Sequence, residues 1–328
     1  MQSWPEIFSK FKDLNVLIIG DVMVDAYIWG TVNRISPEAP VPVVSVVKRD
    51  FRLGGAANVA LNILSLGAKP ILCALAGKDS QGERLVTLLR EKGMSEEGIV
   101  MTPERPTTVK ARVIAAHQHV VRIDDESDEE ASPDEEEALI ARIRKLLPAS
   151  HVVIFEDYDK GTLTQRVIEE TMTLAKENNI PTVVDPKKRN FLHYKNVTLF
   201  KPNLKELREG LGLDIDAANK RSIDEAVQKV KQRMGVEGVM LTLSERGVYI
   251  DFKNQRLAIP AHKREIADVS GAGDTVVSVA ALCVALQLDP ERIASLSTLG
   301  GGLVCQHVGV VPINKEQLLT EAIELELA

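Results

Sequence analysis

Short apolar runs rich in Val and Ile recur along the chain at 16–19, 71–76, 151–155, 182–184, 198–200 and 239–243. They are continuous rather than alternating, the pattern of strands buried on both faces. Between them, 57–66, 81–92, 135–147, 163–178 and 223–234 carry apolar residues at helical spacing. This strand-then-helix rhythm predicts an α/β fold, a doubly wound and mostly parallel sheet with helices on both faces.

Two stretches break the rhythm. Residues 41–47 (VPVVSVV) read as an extended strand whose prolines suit a sheet edge. Residues 107–114 and 119–124 read as a hairpin around 115–118. With 25–30 they predict a small β-sheet lid inserted into the main fold, its segments at about 25–50 and 107–124. The acidic block 124–137 (DDESDEEASPDEEE) reads as a solvated loop entering a helix whose first turn favours negative charge. No repeat and no low-complexity linker interrupts the chain.

Composition narrows the field. The chain has 328 residues, 45% of them apolar, which suffices for a sizeable core. A net charge of −7 argues against a nucleic-acid partner, which calls for a basic excess. Cys73, Cys283 and Cys305 are far apart in apolar stretches and read as small buried hydrophobes in a reducing compartment. The opening MQSWPEIFSKFKD has no signal-peptide core, and no apolar run reaches membrane-spanning length. The expectation is a cytoplasmic protein with no membrane partner.

In an open parallel sheet, ligands bind beyond the carboxyl ends of the strands. Asp21 and Asp25 follow the first run, and Asp157 to Gly161 follow VVIFE. Asp185 and Lys187 follow TVV, Asn203 and Glu206 follow TLFKP, and Thr242, Ser244, Glu245 and Gly247 lie in VMLTLSERG. For Asn203 and Asp157 a helix-capping role competes with a ligand-binding one. Two glycine clusters open helices. In Asp268-Val269-Ser270-Gly271-Ala272-Gly273-Asp274-Thr275, a glycine-rich helix start leaves free N–H groups that can hold a phosphoryl group. Asp274, in the first turn, is placed to accept a proton from an attacking hydroxyl; a loop entering a helix with an acidic first turn explains the run equally well. In Gly54-Gly55-Ala56-Ala57-Asn58, the glycines allow close backbone approach to a ligand and Asn58 offers a donor and an acceptor; tight packing explains the glycines equally well. No GxxxxGK[ST] is present, which excludes a P-loop enzyme.

The two clusters, with Gly67 and Gly77-Lys78-Asp79 between them, resemble in order and spacing the two signatures of the ribokinase-like PfkB carbohydrate kinases. GDVMVDAYIWG, RISPEAPVPV, EDYDKG and VDPKK look more narrowly like the branch that phosphorylates D-glycero-β-D-manno-heptose 7-phosphate, over about 16–314. The resemblance implies one kinase domain over 1–328, with ATP and Mg²⁺. It implies Asp274 as catalytic base and Gly271, Ala272 and Gly273 as the anion hole. Asp25, Gly54, Gly55 and Asn58 would hold the sugar, with Asp157 beside it. Asn203, Thr242, Ser244, Glu245 and Gly247 would lie along the nucleotide with Gly271 and Gly273, and Glu206 would reach Mg²⁺ through water.

Lys160 and Lys187, with Lys110 or Arg112 from the lid, are the candidates for the substrate's own phosphate, because a phosphate needs cations. Ser270, Asp159 and Lys188 depart from the family's commoner residues. Related kinases often pair lids, and a homodimer through the lid follows. The alternatives are a family member acting on ribose, fructose or another sugar, and a non-catalytic sugar or nucleotide sensor. His117 and His119 lack a third ligand at metal-binding spacing and read as surface or substrate-adjacent residues.

Overall fold

The structure is a computed structural model describing residues 2–115 and 118–327. Its main sheet comprises β1 (Asn15–Gly20), β4 (Lys69–Gly77), β5 (Ile99–Thr102), β8 (Val152–Glu156), β9 (Thr182–Asp185), β10 (Leu199–Phe200), β11 (Gly238–Thr242), β12 (Val248–Phe252) and β13 (Gln255–Ile259). The order is β13-β12-β11-β10-β9-β8-β1-β4-β5. Every pairing from β11 to β5 is parallel, and only β12 and β13 pair antiparallel. A smaller sheet, β3-β2-β6-β7, comprises β2 (Val22–Ile35), β3 (Pro42–Gly55), β6 (Thr108–Ala115) and β7 (Gln118–Asp125).

The described helices are α1 (Trp4–Lys10), α2 (Ala56–Ser65), α3 (Ser80–Glu91), α4 (Pro133–Leu146), α5 (Gln165–Glu177), α6 (Leu204–Leu211), α7 (Lys220–Met234), α8 (Ala272–Ala285), α9 (Pro290–Val304) and α10 (Lys315–Glu324).

Alternation within the strands explains the layering. Val16, Ile18, Val152 and Ile154 pack into one core with α1–α3 and α8–α10. Their neighbours Leu17, Ile19, Val153 and Phe155 pack into a second core with α4–α7. Both faces are covered, so the runs are apolar without alternation, with polar residues only at or near their ends. The apolar stretch after Asp274 is a buried helix, and the three cysteines are buried and free. The hairpin β12–β13 was not anticipated. It turns through Lys253 and Asn254, both in the left-handed region at φ 47° and 61°, and Asn was the readable turn signal. The strand expected at 25–30 is longer, because β2 starts with only Asp21 between it and β1 and runs on to Ile35. The β3 strand does lie at an edge. The hairpin tip at 116–117, including His117, lies outside the described residues.

The sheet changes direction of growth between β1 and β8, and there the backbones approach closely. A Cβ on Gly20 would stand 2.0 Å from the Glu156 carbonyl oxygen. Gly20→Ala is therefore expected to push the two strand ends apart and destabilise the fold by about 1–3 kcal/mol. The urea unfolding midpoint reads this; an unchanged midpoint would show that the contact relaxes freely.

Candidate active site

The candidate residues converge beyond the carboxyl ends of β1, β8, β9, β10 and β11. The first turn of α8 lies at the centre. Gly271 caps it at φ 79°, a conformation that glycine adopts without steric penalty. Among the described residues nothing accepts a hydrogen bond from the Gly273 and Asp274 N–H groups. With the helix dipole they form a positive pocket for an anion. Asp274, 4% exposed, points back across this turn. Its Oδ2 accepts from Asn58 Nδ2 at 2.6 Å and its Oδ1 from the Tyr158 hydroxyl at 2.8 Å. Burial raises the Asp274 carboxyl above the usual range, while the Asn58 and Tyr158 donors pull it down.

Asn58 is on α2, whose N-cap Gly55 has φ 58°. A Cβ on Gly54 would fall 2.2 Å from Asp25 Oδ2, so this glycine lets β3 pass over the Asp25 carboxylate. Asp25 forms an ion pair with Arg112 across the small sheet. Gly54, Gly55, Asn58, Asp25 and Asp274 thus form one neighbourhood.

The loop after β8 is built by two carboxylates. Asp21 Oδ2 accepts from the N–H groups of Tyr158 (2.8 Å) and Lys160 (3.1 Å), and its Oδ1 from that of Thr162 (3.0 Å). Asp157 is 1% exposed and accepts from Tyr194, Asn190 and the Asp159 N–H. Its bonds shape the loop from beneath; burial, then the nearby Asp21, push its carboxyl up to about 7.

The four basic candidates separate into three places. Lys110 and Lys160 both reach Glu126, at 3.0 and 2.7 Å. Arg112 is held by Asp25. Lys187 sits elsewhere, 2.6 Å from Glu206 and 3.7 Å from Asp185. It therefore borders the α8 pocket rather than joining Lys160. Lys201 also reaches Asp185, at 2.8 Å.

Asn203 and Glu206 form a reciprocal capping box on α6, so the capping reading of Asn203 holds in the geometry. Asn203 also bridges to Thr242, while Ser244 and Glu245 are exposed in a short turn closed by Gly247 at φ 89°.

Glu156, Tyr158, Asp185 and Lys201 belong to this site; the sequence reading counted Asp185 and, within 157–161, Tyr158 among the polar residues at strand ends without giving them a role, and passed over Glu156 and Lys201. Glu156 is 0% exposed, and neither carboxylate oxygen has a hydrogen-bond partner among the described residues; Asp185 Oδ1 and Asn58 Oδ1 also lack one. Burial, then the charges of Asp185 and Asp274, raise Glu156 well above the usual range. Four carboxylates here (Glu156, Asp185, Glu206, Asp274) face two ammonium groups (Lys187, Lys201), an excess of two negative charges if all ionise. A divalent cation fits that excess and the unfilled acceptors. No cluster of three or more ligating side chains occurs among the described residues. The fit is therefore to a cation bound largely through water and phosphate oxygens, as Mg²⁺ prefers.

Residues 13–317 match the sequence model of the pfkB family of carbohydrate kinases. The chain belongs to that family. It is thus a carbohydrate kinase, a phosphotransferase acting on a sugar hydroxyl. A relative named "Bifunctional protein HldE" from Syntrophotalea carbinolica is 38% identical over 311 residues, 94% of this chain. The chain spans 63% of that relative's length. Phosphofructokinase-2 from Escherichia coli, solved with potassium, superposes with a TM-score of 0.78 at 18% identity, covering 95% of this chain and 99% of that one. Ribokinase from Arabidopsis thaliana, complexed with ribose and ATP, gives 0.72 at 17% identity, covering 93% and 98%. These likenesses establish the ribokinase-like fold. No helix among the described residues is long and apolar enough to cross a membrane.

In this kinase Tyr158→Phe removes one of two donors to Asp274, so the carboxyl should rise further. If Asp274 must be ionised to act, activity grows as pH climbs through its pKa and is lost below it. The acid limb of kcat/KM is expected to move to higher pH. An unmoved limb would separate Tyr158 from the ionisation that controls turnover.

Proposed function

We propose that this kinase transfers the γ-phosphoryl group of ATP to the anomeric hydroxyl of D-glycero-β-D-manno-heptose 7-phosphate, giving the 1,7-bisphosphate. The observation that carries the reaction is the buried Asp274 carboxylate beside the free N–H groups of Gly273 and its own residue. A hydroxyl within reach of Asp274 gives up its proton as its oxygen attacks phosphorus. The N–H groups receive the negative charge of the phosphoryl oxygens, and Lys187 and Lys201 border the same pocket.

Asp25 and Asn58 take the sugar hydroxyls. Asn203, Thr242, Ser244, Glu245 and Gly247 lie along the nucleotide. Mg²⁺ bound with ATP would neutralise phosphate charge, held through water by Glu206 and Asp185. The small sheet acts as a lid, its Asp25, Arg112 and Lys110 face turned to the substrate, and shields the transfer from water.

The heptose reading rests on the RISPEAPVPV, EDYDKG and VDPKK motifs and on two lysines, Lys110 and Lys160, beside the cleft. An acceptor panel of heptoses, ribose and fructose, each with and without a terminal phosphate, tests it with ATP; mass and NMR identify the product. Turnover on the heptose phosphate should exceed that on the rest, and preference for another sugar would reassign the acceptor. Asp274→Asn should keep ATP binding and lose about 10²–10⁴-fold in kcat. Near-normal turnover would remove Asp274 from the mechanism, and no turnover of any acceptor by the wild type would favour a sensor.

The lid also forms the dimer contact in this proposal. Register places Val32, Val44, Val46, Val121 and Ile123 on the sheet face opposite Asp25 and Arg112. Val46 is 47% and Ile123 54% exposed, an apolar face that a second copy would bury. Val46→Glu should sediment as a monomer at micromolar concentration with a raised sugar KM. Monomeric wild-type protein under those conditions would end the proposal.

A further inference from the structure

The acidic block after β7 is not simply solvated. Asp128 O accepts from Arg189 Nη1 at 2.6 Å, Glu129 O from Arg105 Nη2 at 2.7 Å, and Ala131 N–H donates to Gly161 O at 2.9 Å. A Cβ on Gly161 would lie 1.9 Å from Glu129 O, so the strap lies directly on the loop that carries Lys160. At its start, Glu126 places one oxygen 3.0 Å from Lys110 Nζ on the small sheet and the other 2.7 Å from Lys160 Nζ on the main domain. The three side chains are only 16%, 18% and 25% exposed for Lys110, Lys160 and Glu126.

The surroundings suit an oxyanion larger than a carboxylate. Arg105 and Lys160 line a crevice with the hydroxyl residues Thr108, Ser127 and Thr162. Arg105 Nη2 is used on the Lys160 and Glu129 carbonyls, while its Nη1 is buried without a partner among the described residues. Asp21 also lines the crevice, but its oxygens are taken by the N–H groups of Tyr158, Lys160 and Thr162. Asp124 stands 3.6 Å from Lys110 and is shared with Arg122.

We propose that Glu126 is a built-in surrogate for the acceptor's phosphate: it bridges Lys110 and Lys160 in the free enzyme, and a phosphate monoester displaces it. This rests on the reading that the acceptor is phosphorylated. A monoester offers two charges and three acceptor oxygens where Glu126 offers one charge and two, so it can hold both lysines and still accept a further donor. A sugar without a phosphate leaves Glu126 in place. The strap thereby makes the subsite selective without leaving Lys160 unpaired and Lys110 with only the more distant Asp124.

The test uses inorganic phosphate as the probe, with the full chain and no turnover. Titration calorimetry compares wild type with Glu126→Gln, which keeps the side chain's shape and removes its charge. The variant should bind phosphate about tenfold more tightly, and adding Lys160→Ala should abolish the gain. Equal or weaker binding by a folded Glu126→Gln protein would overturn the proposal. Wild-type protein gives an independent reading. Saturating phosphate should speed amide exchange across 126–131, and unchanged exchange there would also overturn it. A gain in phosphate affinity from a chain that ignores heptose phosphate would keep this inference and discard the proposed acceptor.

Discussion

The architecture is organised around carboxylates held out of water at the point where the sheet reverses its direction of growth. Asp274 is kept in place by Asn58 from α2 and Tyr158 from the loop after β8, two elements far apart in the chain. Each depends on a further support. Gly54 and Gly55 allow β3 to enter α2 against Asp21 and Asp25, and Asp21 fixes the loop through three backbone N–H groups. Removing either support would leave a buried carboxylate short of donors, a loss of about 1–3 kcal/mol or more for a charged group. The same residues that complete the fold therefore set the position and strength of the candidate base.

The site is electrostatically unfinished on its own. Glu156 and Asp185 present acceptor oxygens without partners, while the Gly273 and Asp274 N–H groups present donors without partners. Such groups are costly to bury and are retained where a ligand completes them. In the proposed reaction a nucleoside triphosphate and its cation would supply both complements, anionic oxygens for the donors and a positive charge for the acceptors. The arrangement of Lys110, Lys160 and Glu126 differs in that the protein there provides its own anion.

Much of this was legible in the chain because its signals are local. A continuous Val/Ile run buried on both faces needs no distant partner to be recognised. The glycines before Asn58 and Asp274 mark helix starts within a few residues. What was illegible depends on which side chains meet. Lys187 and Lys160 both follow strand ends, yet one turns to Glu206 and the other to Glu126. Glu126 was lost within a charge run read as solvated, since sequence does not show that two lysines wait 16 and 34 positions away. Glu156 ends an apolar run and looks like the first polar residue outside it, although it is fully buried. Tyr158 sits within the EDYDKG run, but sequence does not show that its hydroxyl meets Asp274.

The measurement that bears most directly on the account is a crystal structure with heptose 7-phosphate, Mg²⁺ and a non-hydrolysable ATP analogue. The account predicts the anomeric oxygen within hydrogen-bond reach of Asp274, about 2.6–3.2 Å, with the terminal phosphoryl group at the Gly273 and Asp274 N–H groups. It also places the 7-phosphate between Lys110 and Lys160. A complex with the nucleotide bound but the sugar's anomeric oxygen remote from Asp274, or the terminal phosphoryl group away from the start of α8, would contradict it.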